Sequence, residues 1–221
     1  MVPPRPRRPV DAAAAAGPGR PKDLAKRAAI LDAAKRLFTA QGFEGVSMDA
    51  IATEAGVSKL TVYSHFGDKD ALFGEAVKSH CEQGMPASVL EDRPGQPVRE
   101  RLTEIATAFY AMISAPEAVA GHRILCSPQV QDTPLPQLFW EAGPRRVQEG
   151  LKTLLDARVD AGDLDIPDTS IAASQFFTLL KGEPHMRLVF GCGCSGDPHV
   201  TAEAHVDACV EMFLRAYGAR R

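Results

Sequence analysis

Residues 47–73 read SMDAIATEAGVSKLTVYSHFGDKDALF. Ser47 is suited to cap a helix reaching Ala55, with Asp49 in the first turn, where the helix dipole favours an acid, and with Ile51 and Ala52 facing inward. Gly56 permits a tight turn, Ser58 is suited to cap a second short helix from Lys59 to Phe66, and Asp68 a longer one carrying Leu72, Phe73, Ala76 and Val77. Two short helices meeting across Ala55-Gly56-Val57 have helix-turn-helix spacing, in which the second helix is free to lie in a DNA major groove. Lys59, Thr61, Tyr63, Ser64 and His65 give that helix hydrogen-bond donors on the face leaving the core, and Leu60 is able to touch a thymine methyl. Val62 and Phe66 read as the core residues that seat it. The same residue types describe an exposed polar helix of some other bundle; the turn spacing and the charge distribution favour the DNA reading.

Upstream, Ile30, Leu31, Ala34, Leu37 and Phe38 recur at helical spacing, and Gly42 ends that helix. Residues 1–22 are rich in Pro, Ala, Gly and Arg and lack aromatic residues, so they read as a flexible basic arm. Within it Pro18-Gly19-Arg20-Pro21-Lys22 is similar to the Gly-Arg-Pro core of minor-groove hooks, and equally describes a solvated arm. Residues 1–69 hold 11 Lys and Arg against 7 Asp and Glu, a balance of +4, whereas the remainder holds 14 against 21, or −7. The overall −3 conceals a basic head on an acidic body, and such a head is expected to meet a polyanion.

Downstream, Pro86, Pro94, Gly95 and Pro97 mark a loop or boundary. Helical patterns follow over residues 98–114, from Pro116 to about Ser127, over 135–142, from Pro144 to Gly162, over about 168–189 with a kink at Pro184, and over 201–217. No alternating strand is found. The expected class is all-α: an N-terminal three-helix helix-turn-helix domain over 23–70 and a helical domain over 71–221. No apolar run approaches the roughly 20 residues of a membrane span, and no signal-peptide segment is seen, so a cytoplasmic location is expected. The five cysteines, at 81, 126, 192, 194 and 209, form no even disulfide framework. No Walker-type loop, HExxH, GxSxG or GxGxxG occurs, so neither catalysis nor a cofactor is expected.

Over residues 24–73 the chain resembles the TetR family of transcriptional regulators, through Phe38, Gly42, Ile51, Ala52, Gly56, Val57, Ser58, Thr61, Tyr63, His65, Phe66, Lys69 and Leu72. The resemblance implies base-edge contacts from Lys59, Leu60 and Thr61, and phosphate contacts from Ser47, Tyr63, Ser64, His65 and Lys69. Asp49 stands where many relatives carry a basic residue. The segment LPQLFWEAGPRRVQEGL at 135–151 looks like the AefR-like branch of the family. Membership implies a homodimer formed by the last two helices, and the stripe of Val206, Cys209, Val210, Phe213, Leu214 and Tyr217 is consistent with one. Paired recognition helices would then read a palindrome at a spacing of about 34–36 Å.

The family resemblance further implies a ligand cavity, for which Phe109, Met112, Ile113, Phe139, Trp140, Phe176 and Phe177, with Ile124, Leu125 and Leu180, are candidates; for any one of them ordinary core is the simpler reading. The expected function is a repressor of double-stranded DNA targets, released by an apolar or amphipathic aromatic effector. The alternative is a thiol or metal sensor built on Cys192-Gly193-Cys194, with His185, His199, His205 or Cys209 nearby.

Overall fold

The computed structural model describes residues 20–130, 132–192 and 201–219. Eleven α-helices run through them: α1 Arg20–Gln41, α2 Met48–Glu54, α3 Lys59–Phe66, α4 Lys69–Gly84, α5 Ala87–Leu90, α6 Val98–Ser114, α7 Pro116–Leu125, α8 Leu135–Ala142, α9 Pro144–Asp160, α10 Thr169–Phe190 and α11 Ala202–Tyr217, with a 3-10 turn at Pro128–Val130. Among the described residues the one β-type pairing is an isolated bridge between Leu164 and Gly218, so the fold is all-α.

Side-chain caps fix where these helices begin. The hydroxyls of Ser47 and Ser58 each accept from a backbone N–H three residues on, both at 3.1 Å. Asp68 accepts from Ala71 N at 2.8 Å, Asp168 from the amides of Ser170 and Ile171, and Thr201 from Ala204 N. Each cap satisfies an otherwise orphaned amide and contributes about 1 kcal/mol. Gly56, at φ +65°, supplies the left-handed residue between α2 and α3 that a side chain would resist.

Three expectations change. The backbone is already helical at Arg20, so the last residues of the expected arm, and the Arg of its Gly-Arg-Pro core, start α1 rather than extending away from it; Pro18 and Gly19 lie outside the described residues. The proline-rich segment contains a short helix, α5, because its prolines flank Ala87–Leu90 without entering it. The kink of α10 falls on Gly182 (φ 42°, ψ −161°) rather than on Pro184. A proline clashes with the carbonyl four residues earlier and restricts the residue before it, and the nearby glycine absorbs the break at least strain.

The apolar residues gather into two clusters. The first joins Ile30, Phe38, Phe43, Ile51, Val62, Phe66, Leu72 and Phe73 with Ile124 and Leu135 from farther along the chain; the rings of Phe38, Phe43 and Phe73 meet at 5.5–5.6 Å. The second lies among α6, α9, α10 and α11. α4 gives Leu72, Phe73 and Ala76 to the first and Cys81 to the second, so the joint between head and body runs within this one helix. Arg101, fully buried, donates to the carbonyls of Val89 and Glu91 at the end of α5 and pairs with Glu104 at 2.7 Å.

The stripe on α11 is used inside the protomer. Val206, Cys209, Val210 and Phe213 are buried in the second cluster, with Phe213 against Phe176 at 5.0 Å between ring centroids, so these residues are not the face left for a partner. The large apolar side chains left exposed on α10 and α11 are Ile171, Met186, Phe190 and Met212.

Candidate nucleic-acid interface and effector cavity

Val62 and Phe66, on the inner side of α3, are buried in the head, which turns the opposite side outward. Leu60 is 78% exposed there and Tyr63 42%. Ser64 is also exposed and its hydroxyl donates to the Thr61 carbonyl; Thr61, half-buried, shares a 2.8 Å hydrogen bond with the Ser58 hydroxyl. Lys59 pairs with Asp49 of α2 at 2.7 Å, and the hydrogen bond and charge of that carboxylate raise the pKa of Lys59. Ser47 is exposed and caps α2. Lys59, Leu60, Tyr63, Ser64 and Ser47 are thus open to solvent, with Thr61 half-buried.

The other two expected contacts are engaged within the head. His65 sits 3.0 Å from Asp23 of α1, with 12% of its side chain exposed. Lys69 donates to the Phe43 carbonyl at 3.1 Å and stands 4.2 Å from the centroid of the Phe43 ring. Each fastens α3 or α4 to the α1 region, so each has a structural task beside the expected phosphate contact. Other head cations are paired too: Arg27 with Glu75 at 2.5 Å and Arg36 with Glu54 at 3.0 Å. These pairs join residues far apart in sequence, which no local pattern signals.

Between head and body lies a cavity of about 330 Å³, within the range of about 300–1,000 Å³ that small molecules occupy. Its wall takes Phe38 and Lys35 from α1, Phe73, His80 and Cys81 from α4, and Phe109, Met112 and Ile113 from α6. The rest comes from Glu117 and His122 of α7, Phe139 and Trp140 of α8, Gln148 of α9, and Ser174, Phe177, Thr178 and Lys181 of α10. Phe109 and Phe177 stack at 4.3 Å.

Of the residues expected on this wall, Phe109, Met112, Ile113, Phe139, Trp140, Phe177 and Ile124 line it. Phe176 does not: it is fully buried on the neighbouring face of α10, against Phe177 and Phe213. Leu180 is core for the same reason, and Leu125 lies off the wall. The apolar pattern of α10 identifies buried residues without telling the core face from the cavity face. The row that does reach the cavity is Ser174, Phe177, Thr178 and Lys181, spaced i, i+3, i+4 and i+7.

The polar part of the wall was not anticipated from the sequence. The His122 ring lies 4.7 Å from that of His185 and 5.6 Å from that of Phe139. Burial, then the charges of His185 and Lys181, push the His122 pKa down to about 4. Burial and Lys181 also lower that of His185, and burial alone lowers that of Lys181. Burial raises the Cys81 thiol to about 11, which leaves it protonated and unreactive at neutral pH. Cys192 is exposed just beyond Gly191, the left-handed residue ending α10; Cys194 and His199 lie outside the described residues. Among those described, no three His, Cys, Asp or Glu side chains are grouped to hold a metal ion, and no helix is long and apolar enough to cross a membrane.

A helix-turn-helix head joined through α4 to a helical body, with a cavity between the two, is the architecture of a DNA-binding transcriptional regulator. Residues 30–76 match the profile of bacterial regulatory proteins of the tetR family, and residues 100–219 match that of the AefR-like transcriptional repressor C-terminal domain; the chain belongs to the TetR family of transcriptional regulators.

The HTH-type transcriptional regulator YezE of Bacillus subtilis (strain 168) is 30% identical over 159 residues, 70% of this chain and 80% of YezE. The transcriptional repressor BdcR of Escherichia coli (strain K12) is 34% identical over 110 residues, 49% of this chain and 54% of its own. Among solved structures, a TetR-family regulator from Mesorhizobium loti MAFF303099 is similar with a TM-score of 0.73 and 30% identity, over 89% of this chain and 98% of that one. The flavonoid-responsive regulator FrrA is similar with a TM-score of 0.70 and 32% identity over the same shares. These relatives are named as regulators of transcription.

Proposed function

We propose that the protein is a cytoplasmic, homodimeric repressor that holds a palindromic DNA operator and releases it when a small aromatic compound fills the cavity. The observation carrying this reading is that the cavity wall is built from both parts of the chain: Lys35 and Phe38 of α1 and Phe73 of α4 face it together with α6, α7 and α10. A ligand that prefers one placement of α1 and α4 therefore biases the placement of α3, and shifts the DNA equilibrium by its differential affinity for the two states. The AefR-like repressor profile, the repressor BdcR and the flavonoid-responsive FrrA support repression and an aromatic ligand. In this reading the base edges are met by Lys59, Leu60 and Thr61, with phosphates held by Ser47, Tyr63 and Ser64 and, where their internal bonds allow, by His65 and Lys69.

The dimer in this reading uses the exposed Ile171, Met186, Phe190 and Met212 of α10 and α11. The test begins by mapping the DNA that the protein protects upstream of its own and adjacent genes. Tyr63→Ala should then weaken binding to every duplex by about tenfold and reduce the salt slope, whereas Lys59→Ala should change the preferred sequence. A panel of aromatic compounds should release the operator, and operator DNA should weaken binding of the active compound by the same factor. Affinity untouched by both substitutions sinks the DNA assignment; release by none of the compounds sinks the effector assignment.

A further inference from the structure

Resting on that effector reading, we propose that the cavity takes a weakly acidic aromatic compound, a carboxylate or a phenolate, whose anionic oxygen is held by the Lys181 ammonium with His122 beside it. The body around the cavity is acidic, with 14 Lys and Arg against 21 Asp and Glu over residues 70–221. The wall has the opposite balance: the ammoniums of Lys35 and Lys181 face one carboxylate, that of Glu117, which stands exposed in the first turn of α7.

Lys35 is satisfied by neutral acceptors, Ser79 Oγ at 2.9 Å and Gln83 Oε1 at 3.3 Å. Lys181 has neither a hydrogen bond nor an ion pair among the described residues. Its side chain keeps solvent access, yet the protein around it lowers its pKa. Lys181 thus presents an ammonium on the cavity wall that no carboxylate among the described residues already holds, in surroundings less favourable to its charge than bulk water, and a ligand anion can pair with it there.

The remaining groups allow an anion at this end. His122 is neutral at pH 7, so it brings no like charge to this end, and its one N–H lies within reach of the Ala118 carbonyl in its own helix. His185, behind it, is also held toward neutrality. On α4, the His80 Nε2 is committed to the Met112 carbonyl at 3.1 Å and Cys81 is a protonated thiol. Trp140, Phe139 and the stacked Phe109 and Phe177 offer faces for an aromatic body.

Trp140 is the single tryptophan of the chain and lines the cavity, so its fluorescence reports occupancy. The probes are 2-naphthoate and its neutral isostere 2-naphthamide, titrated at neutral pH into wild type, Lys181→Gln and Lys181→Met, with thermal unfolding establishing that each variant is folded. Wild type should bind the acid about tenfold tighter than the amide, and in both variants the preference should fall to about twofold or less. Equal binding of acid and amide by the wild type, or a preference that survives both substitutions, overturns the anion site and leaves the aromatic effector standing. No saturable response to either compound overturns both.

Discussion

Asp49 and Lys59 meet across the helix-turn-helix at 2.7 Å, and that pair changes what α3 offers to DNA. A lysine bound to a carboxylate has to give up that partner, or share it, to reach a base edge or a phosphate. Asp49→Asn should therefore tighten binding to non-specific duplex about three- to tenfold at low salt and steepen the salt dependence by about one counterion, read by anisotropy across a salt series. An unchanged slope would show that the pair has no bearing on DNA. The sequence showed Asp49 as an acid at an unusual place but not its partner, because the nine residues between them carry no signal of contact.

His122 is a second case in which the surroundings decide. Its pKa, about 4 against an ordinary 6.5, means that between those values the unfolded chain takes up a proton that the folded chain refuses. Stability should fall as pH drops from 6.5 toward 4 and be indifferent to this group above 6.5. At about pH 5 the loss is on the order of 1–2 kcal/mol. His122→Phe should remove that part of the slope when urea midpoints near pH 7 and pH 5 are compared; an identical slope in the variant would contradict the assignment.

At the scale of elements, helix starts were the most legible feature. Ser47, Ser58, Asp68 and Asp168 cap where their sequence positions suggest, since capping is a local matter of one oxygen and the next turn's amides. Breaks inside an element were less legible. Pro184 indicates that α10 must bend, but the bend is taken by Gly182, whose φ of 42° suits glycine and whose neighbour His205 donates to the Leu180 carbonyl at 2.9 Å. Gly182→Ala should cost about 1–3 kcal/mol, because the new Cβ also approaches His205 Cε1 to 3.3 Å. A urea midpoint equal to wild type would mean that α10 adopts another bend at no cost.

At the scale of the molecule, the two apolar sets of α11 and α10 separate folding from assembly. Phe213 and Val210 are core, so a charge at either should unfold the protomer rather than split a dimer. Phe190 and Met212 are exposed, at 69% and 57%. Phe190→Asp combined with Met212→Glu should give folded monomers, seen in sedimentation as half the mass with helical circular dichroism retained, and with operator affinity lost. A wild type that sediments as a monomer at micromolar concentration removes the dimer from the proposal.

Local chemistry written into the chain determined the all-α class, the helix-turn-helix with Val62 and Phe66 inward, the capped starts of its helices, and the basic head on an acidic body. These depend on interactions within a turn or two and on composition. Tertiary structure alone decided which apolar face of α10 meets the cavity and which the core, that the α11 stripe is consumed inside the protomer, that His65 and Lys69 are tied to the α1 region, and that Lys181 stands on the cavity wall without a counter-charge among the described residues. Burial and pairing between residues tens of positions apart follow from how helices cross, and periodicity in a single helix records that a face is covered without recording by what.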